Sequence, residues 1–261
     1  MTSMVEVTYH DTIAELTLNR PEAFNAFNLE MVSGIADHLI KLAADESIRG
    51  VAITSNGKAF CAGGDLRWAV DYADSPGASF HKLASQFHLA VLEIRRMMKP
   101  VAAAVNGIAA GGGFSLALAC DFRVMEKSAI LKQAYTSAGL CVDGGGTFTL
   151  PRMVGVARAL EIIAFDEPIS SAQALAWGLA TRVVADGSVR EETLNLLNQL
   201  AQGSVHSFGQ SKRLLNISYG NSFESQIELE RDALSICSDH PDGQEGLKAF
   251  AQKRKPKFYA K

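Results

Sequence analysis

Cysteine is scarce and widely spaced in this sequence of 261 residues, which argues against two kinds of site. The four cysteines are Cys61, Cys120, Cys141 and Cys237, and no two of them form a Cys-x-x-Cys pair. This spacing argues against a zinc site and against a disulfide framework, and the sequence has no His-Glu-x-x-His motif. We therefore expect no bound metal and a reducing compartment, the cytoplasm.

The sequence also lacks an excess of positive charge and a clear membrane segment. Its formal net charge is −3, which argues against a generally basic nucleic-acid-binding protein. The first ten residues have neither the basic stretch nor the apolar stretch of a leader peptide. The uncharged stretch 101–120 contains Asn106-Gly107 and three consecutive glycines, which is typical of a buried strand, a turn and a buried helix. We expect no nucleic-acid partner and no membrane partner.

Apolar residues make up 48% of the chain, enough for a large core, and their spacing changes along it. In the first half, apolar runs typical of strands alternate with helical patterns, and Asn28 is a plausible N-cap. This alternation predicts a mostly parallel sheet flanked by helices. The predicted strands are 5–9, 13–18, 51–54, 101–105 and 122–125, and the predicted helices are 28–44, 79–98 and 112–120.

After residue 147 the pattern is almost entirely helical, and only 181–184 is typical of a strand. We therefore expect an α/β core in residues 1–195 and a helical region in residues 196–261. The predicted helices are 157–165, 172–177, 189–201, 208–217, 223–238 and 243–253.

Three glycine-rich turns are the strongest candidates for function, at 57–65, 106–114 and 143–147. None fits a Walker A phosphate loop, and no Gly-x-Ser-x-Gly motif is present. Glycine lets the backbone approach a ligand closely, and each of the first two turns lies between a predicted strand and a predicted helix. One backbone N–H group from each turn could therefore form an oxyanion hole for a thioester carbonyl.

Five segments of the sequence resemble the crotonase superfamily, the enoyl-CoA hydratases and isomerases. They are 19–26 (NRPEAFNA), 59–66 (AFCAGGDL), 99–113 (KPVAAAVNGIAAGGG), 172–179 (AQALAWGL) and 249–255 (AFAQKRK). The resemblance extends over essentially the whole chain in order. It implies an α/β fold, a spiral of ββα units with a helical C-terminal trimerisation region. It also implies an acyl-CoA substrate and a homotrimer or homohexamer.

The resemblance also implies roles for individual residues. The oxyanion hole would use the N–H groups of Gly64 and Gly112. No cofactor is implied beyond the coenzyme A that forms part of the substrate. The residues that match coenzyme A contacts in the family are Ala23, Ala26, Ala62, Leu66, Arg67 and Lys253.

The sequence departs from the hydratases at two catalytic positions. Hydratases use two glutamates to add water, and this chain has Ser115 and Tyr135 there. Asp143 instead matches the aspartate of an isomerase branch that acts on ring-epoxide phenylacetyl-CoA and on 3-enoyl-CoA esters. We expect Leu140 and Val142 to bury this carboxylate, which makes it a better base. The leading hypothesis is an isomerase that shifts a double bond, with Asp143 as acid and base.

Other interpretations remain open. In the related 4-chlorobenzoyl-CoA dehalogenases the same aspartate is a nucleophile. His88 and Tyr135 would have counterparts in those enzymes. The dehalogenases, however, carry a tryptophan at the position of Tyr135 and a bulky residue in place of Gly64. His88 also fits a packed histidine, because it lies on a predicted apolar helix. Asp143 before three glycines also fits a turn or a helix cap. A hydratase and a non-catalytic CoA-binding protein are further alternatives, and we expect Cys61 to pack in the core.

Overall fold

The computed structural model describes residues 3–72 and 74–258. The strands in this part of the chain are β1 (Val5–His10), β2 (Ile13–Leu18), β3 (Gly50–Ser55), β4 (Ala59–Cys61), β5 (Val101–Val105), β6 (Ile108–Ala110), β7 (Phe122–Glu126), β8 (Ile130–Lys132), β9 (Ile169–Ser170) and β10 (Arg182–Val184). The helices are α1 (Leu29–Ala44), α2 (Leu66–Asp71), α3 (Pro76–Arg96), α4 (Gly112–Ala119), α5 (Gly146–Val154), α6 (Val156–Phe165), α7 (Ser171–Ala176), α8 (Val189–Ala201), α9 (Val205–Ile217), α10 (Phe223–Asp239) and α11 (Pro241–Ala251).

The strands form two sheets, and from β3 to β8 successive strands belong alternately to one sheet and the other. The larger has the order β1-β2-β3-β5-β7-β10 and is parallel except for the β1–β2 pair, and the smaller has the order β4-β6-β8-β9. Each of the pairs β3/β4, β5/β6 and β7/β8 gives one strand to each sheet before a helix follows. This arrangement confirms the α/β spiral of ββα units. The strand–helix alternation alone predicted one sheet and missed the second.

The helix boundaries follow the capping residues. The Asn28 side chain accepts a hydrogen bond from the Met31 N–H at 2.9 Å and starts α1 as predicted. Helix α3 begins at Pro76, before the predicted residue 79, because Ser75 caps it and proline suits the first helical turn. These caps matter for the site because α3 forms one of its walls.

Helices α8 and α9 attach the C-terminal half to the sheet. Residues 195 and 196, the predicted boundary, lie inside α8, and Leu197 and Ala201 of that helix pack with Ile13 of β2. On α9, the buried Lys212 donates to the Asp121 carboxylate at 2.7 Å and to the Ile94 carbonyl at 2.7 Å. Helix α9 is thus fixed to the end of α3.

The uncharged stretch 101–120 forms β5, β6 and α4, and most of it is buried. None of the helices among the described residues is long and apolar enough to cross a membrane. Within the same residues, no cluster of three or more His, Cys, Asp or Glu side chains has the geometry to hold a metal ion.

Candidate active site

Two backbone amides at the ends of strands of the smaller sheet are available to bind an oxyanion. Gly112 opens α4, so its N–H is one of the helix N-terminal donors that have no acceptor within the helix. Gly64 follows β4 and forms an isolated parallel β-bridge with Phe27. In this bridge the Phe27 N–H donates to the Gly63 carbonyl (2.7 Å), and the Asp65 N–H donates to the Phe27 carbonyl (2.8 Å). The N–H of Gly64 therefore takes no part in the bridge.

The two glycine turns meet backbone to backbone. A Cβ atom at Gly113 would collide with the carbonyl oxygen of Cys61, and one at Gly63 would lie 3.2 Å from the amide nitrogen of Gly112. Only glycine allows this approach, because any side chain would push the turns apart. Cys61 itself is buried, and burial raises the pKa of its thiol to about 12, so it packs as a neutral side chain.

Four of the predicted catalytic residues line one cavity of about 530 Å³, namely Gly64, Gly112, Tyr135 and Asp143. They come from three separate parts of the chain, and the turn geometry and α4 bring them together. Most of the remaining wall is apolar, formed by Phe27, Phe80, Leu83, Phe87, Leu140 and Val142. The cavity can therefore hold an apolar acyl group beside one carboxylate and two amides.

The backbone carbonyl of Asp143 is held by Ser115 and Tyr135, the two residues that the resemblance matched to the hydratase glutamates. The Ser115 hydroxyl donates to the Asp143 carbonyl at 2.6 Å and lies 3.1 Å from the Tyr135 hydroxyl. The Gly146 N–H donates to the same carbonyl at 3.1 Å. Burial raises the pKa of Tyr135, so its hydroxyl remains neutral in this contact. Sequence reasoning missed this role of Ser115, because it considered Ser115 only as the residue at the position of a hydratase glutamate.

The side chain of Asp143 contacts His88 rather than capping a helix. The distance from His88 Nε2 to Asp143 Oδ1 is 2.6 Å, and an ionised carboxylate only accepts, so Nε2 carries the proton in that state. Helix α5 starts after Gly145 with no side-chain cap, so Asp143 is not its cap. The Asp143 side chain is 39% exposed, so the expected burial by Leu140 and Val142 is wrong.

Of the two interpretations of His88, the packed histidine is wrong. Its side chain is 48% exposed, so it is not packed in the apolar core as its helical pattern allowed. It is not among the residues that line the 530 Å³ cavity, but it contacts Asp143, which is. Its partner lies 55 positions away along the chain, so no local pattern could have predicted the contact.

Most of the predicted coenzyme A contacts form one neighbourhood. The Ala26 N–H donates to the Ala23 carbonyl at 3.0 Å, and the Ala62 N–H donates to the Phe24 carbonyl at 3.0 Å. Leu66 and Arg67 follow on the exposed first turn of α2. Lys253 lies after α11, and among the described residues no backbone hydrogen bond joins it to this neighbourhood.

An ion pair braces this neighbourhood. Arg20 Nη1 donates to the Ala26 carbonyl at 2.9 Å and to the Asp65 carboxylate at 2.8 Å, and Asp65 accepts from the Trp68 N–H at 3.1 Å. The segment 19–26 is therefore tied to the start of α2, beside Gly64. The sequence analysis did not assign Arg20 a role, and only the motif 19–26 pointed to it.

Comparison with known proteins matches this geometry to one family. The family model described as "Enoyl-CoA hydratase/isomerase" matches residues 8–261. A 1,2-epoxyphenylacetyl-CoA isomerase of Escherichia coli (strain K12) is 35% identical over 95% of both chains. A probable enoyl-CoA hydratase of Rhodobacter capsulatus is 35% identical over 94% of both chains.

A solved structure gives the same result for the fold. The crystal structure of an enoyl-CoA hydratase from Polaromonas sp. JS666 superposes with a TM-score of 0.91 at 35% identity, covering 97% of this chain and 98% of that chain. A relative named as an isomerase and one named as a hydratase are thus equally similar in sequence to this chain. The chain belongs to the enoyl-CoA hydratase/isomerase family, the crotonase superfamily.

Proposed function

We propose that this protein is an acyl-CoA isomerase that moves a double bond from the 3-position to the 2-position of a CoA thioester. The observation that carries the proposal is a single carboxylate, Asp143, in the cavity that also contains Gly64 and Gly112. Ser115 and Tyr135 occupy the positions of the two hydratase glutamates and hold the Asp143 carbonyl instead. One carboxylate is enough for a proton shuttle, because it alternates as base and acid.

The proposed reaction begins with the thioester carbonyl oxygen accepting hydrogen bonds from the N–H groups of Gly64 and Gly112. Asp143 removes a proton from C2 of the 3-enoyl group, and the electron pair of that C–H bond forms the C1–C2 double bond of a dienolate. The two amides stabilise the negative charge on the oxygen. The protonated Asp143 then returns its proton to C4, the 2,3 double bond forms, and the carbonyl is restored.

His88 acts as a positioning residue in this reaction. Its contact with Oδ1 fixes the orientation of the carboxylate, and Oδ2 accepts no hydrogen bond from the described residues. Oδ2 is therefore the oxygen that moves the proton. We expect the reaction to need no metal and no cofactor other than the coenzyme A of the substrate. The neighbourhood of Ala23, Ala26, Ala62, Leu66 and Arg67 would hold the coenzyme A, and Lys253, which follows α11, would contact it within the subunit or across a subunit boundary.

The proposal is tested by giving the enzyme trans-3-hexenoyl-CoA and crotonyl-CoA in parallel. We expect the 3-enoyl ester to gain the absorbance of a conjugated enoyl thioester with no change in mass. Crotonyl-CoA should be hydrated slowly or not at all, since hydroxyls can hold water but do not readily take its proton. Rapid addition of water to crotonyl-CoA, with no isomerisation of the other ester, would contradict the proposal.

The contact between His88 and Asp143 favours one second candidate, a hydrolytic displacement on an acyl-CoA. Asp143 would attack as a nucleophile, and His88 at 2.6 Å would activate the water that releases the enzyme ester. Release of chloride from 4-chlorobenzoyl-CoA tests this candidate. Binding of CoA esters without turnover of any of these thioesters would support a non-catalytic CoA-binding protein.

A further inference from the structure

A second cavity, of about 610 Å³, lies on the other side of the His88–Asp143 contact. We call it the distal cavity. Its walls come from α3, α5 and α9, and His88 and Gly145 form the end nearest to Asp143. His88 lines the distal cavity and Asp143 lines the cavity that contains Gly64 and Gly112, so the two cavities adjoin at this contact.

One face of α3 forms a wall of the distal cavity, and this wall changes from apolar to positively charged with distance from His88. His88, Val91, Leu92 and Arg95 line it at positions i, i+3, i+4 and i+7, so they share one side of the helix. Seven residues span about 10 Å along a helix axis. An acyl group that starts at Asp143 and follows α3 therefore meets apolar side chains first and a guanidinium afterwards.

The guanidinium of Arg95 is held in place without an acidic partner of its own. Its Nη2 donates to Asn216 Oδ1 at 2.7 Å, and it lies 5.1 Å from the centre of the Phe148 ring. Burial lowers the pKa of Arg95, and the attraction of the Asp121 carboxylate partly offsets this lowering. Asp121 is itself ion-paired with Lys212 at 2.7 Å, so it is not a partner of Arg95 alone. Among the described residues that line the distal cavity none is acidic, and Arg96 and Arg213 add further positive charge.

We propose that the distal cavity binds the far end of the acyl group and that Arg95 binds a carboxylate there, so that the preferred substrate is the CoA monoester of an unsaturated dicarboxylic acid. This inference rests on the proposed isomerase function. A partly buried guanidinium fixed by an amide and an aromatic ring is suited to a planar carboxylate, which it can bind with two hydrogen bonds. Because the distal cavity begins beside Asp143, we favour the substrate as the source of this carboxylate over an acidic side chain of a second copy of the chain.

The test compares 3-octenoyl-CoA with the monoester 3-octenedioyl-CoA, which differ only in the terminal carboxylate. We expect the wild-type enzyme to have a higher kcat/KM for the dicarboxylic ester. Arg95→Met should lower the ratio of the two kcat/KM values by about 10- to 100-fold, the usual effect of losing a hydrogen bond to a charged group. Arg95→Lys should retain part of the preference. Lys82→Met, an exposed residue on the same helix, should leave the ratio unchanged.

Each other outcome has a distinct meaning. Isomerisation of both esters with equal kcat/KM overturns the inference and leaves the isomerase function intact. An equal loss for both esters in Arg95→Met, together with dissociation of an oligomer, also overturns it, because Arg95 then pairs with another copy of the chain.

If neither ester is isomerised, the isomerase proposal fails, and the inference is decided by binding alone. Calorimetry with octanoyl-CoA and with the monoester octanedioyl-CoA then measures whether wild-type protein prefers the dicarboxylic ester. Equal affinities overturn the inference, and a preference that Arg95→Met removes supports it.

Discussion

At the scale of single residues, Asp143 is held at two points that have different functions. Its carbonyl is fixed by Ser115 and by the Gly146 amide, and its side chain is fixed by His88. The carbonyl contacts set the path of the loop, and the His88 contact sets the rotation of the carboxylate. A reacting group held in this way loses little entropy when the substrate arrives.

Substitution of His88 distinguishes a positioning role from a proton-carrying role. His88→Gln keeps an N–H donor, so we expect it to retain most of the turnover, whereas His88→Leu should lower kcat by about 10-fold or more with a smaller change in KM. The measurement is steady-state kinetics on a 3-enoyl-CoA ester. Equal losses in the two variants would instead mean that the imidazole itself carries a proton.

The sequence predicted the members of the site better than their contacts. Gly64, Gly112, Tyr135 and Asp143 were identified from motifs, and the structure brings them to one cavity. The bond from Ser115 to the Asp143 carbonyl was not predicted, because it joins residues 28 positions apart through a backbone atom. Side-chain type alone gives no information on such a contact.

At the scale of elements, one buried lysine helps to fix α9 against the end of α3. Lys212 donates to the Asp121 carboxylate and to the carbonyls of Ile94 and Lys99, at distances of 2.7 to 3.2 Å. The contact joins α9 to the end of α3, and both helices contribute residues to the walls of the distal cavity. A change here affects both stability and the shape of that cavity.

We expect Lys212→Met to lower the free energy of unfolding by about 3 to 5 kcal/mol, since it leaves the mostly buried Asp121 carboxylate without its cation. Urea denaturation followed by circular dichroism measures the change. Lys82→Met is the matched control, because Lys82 is exposed on α3. A Lys212→Met protein as stable as the control would show that Asp121 finds other partners.

Most of the longer elements were predicted, whereas three of the four three-residue strands among the described residues were missed. The prediction for 101–105 coincides with β5, and that for 189–201 coincides with α8. The strands β4, β6 and β8 have three residues each, too few to show a periodicity of two. Helix α5 was missed because its first turn lies in a glycine run and Pro151 interrupts its pattern.

At the scale of the whole molecule, the helical C-terminal part exposes large apolar side chains. Phe223 and Leu234 of α10 are 74% and 69% exposed, and Ile227 lies between them on the same helix. Apolar patches of this kind commonly mark interfaces between subunits.

We therefore propose that the protein is a homotrimer or a homohexamer, and light scattering of the purified protein measures its mass. Phe223→Glu should shift the population toward smaller species, while a substitution at the exposed Lys82 should not. A wild-type monomer at assay concentrations would contradict the proposal.

The most direct test of the central claim, that Asp143 carries the proton, is the turnover of trans-3-hexenoyl-CoA by Asp143→Asn. Asparagine keeps the shape of the side chain and can still accept from His88, but it cannot take a proton at neutral pH. We expect turnover to fall by at least about 10²-fold. The affinity for the CoA ester, measured in parallel by calorimetry, should stay nearly the same, because Gly64 and Gly112 are unchanged. Full activity in this variant would show that another group is the base and would contradict the isomerase mechanism.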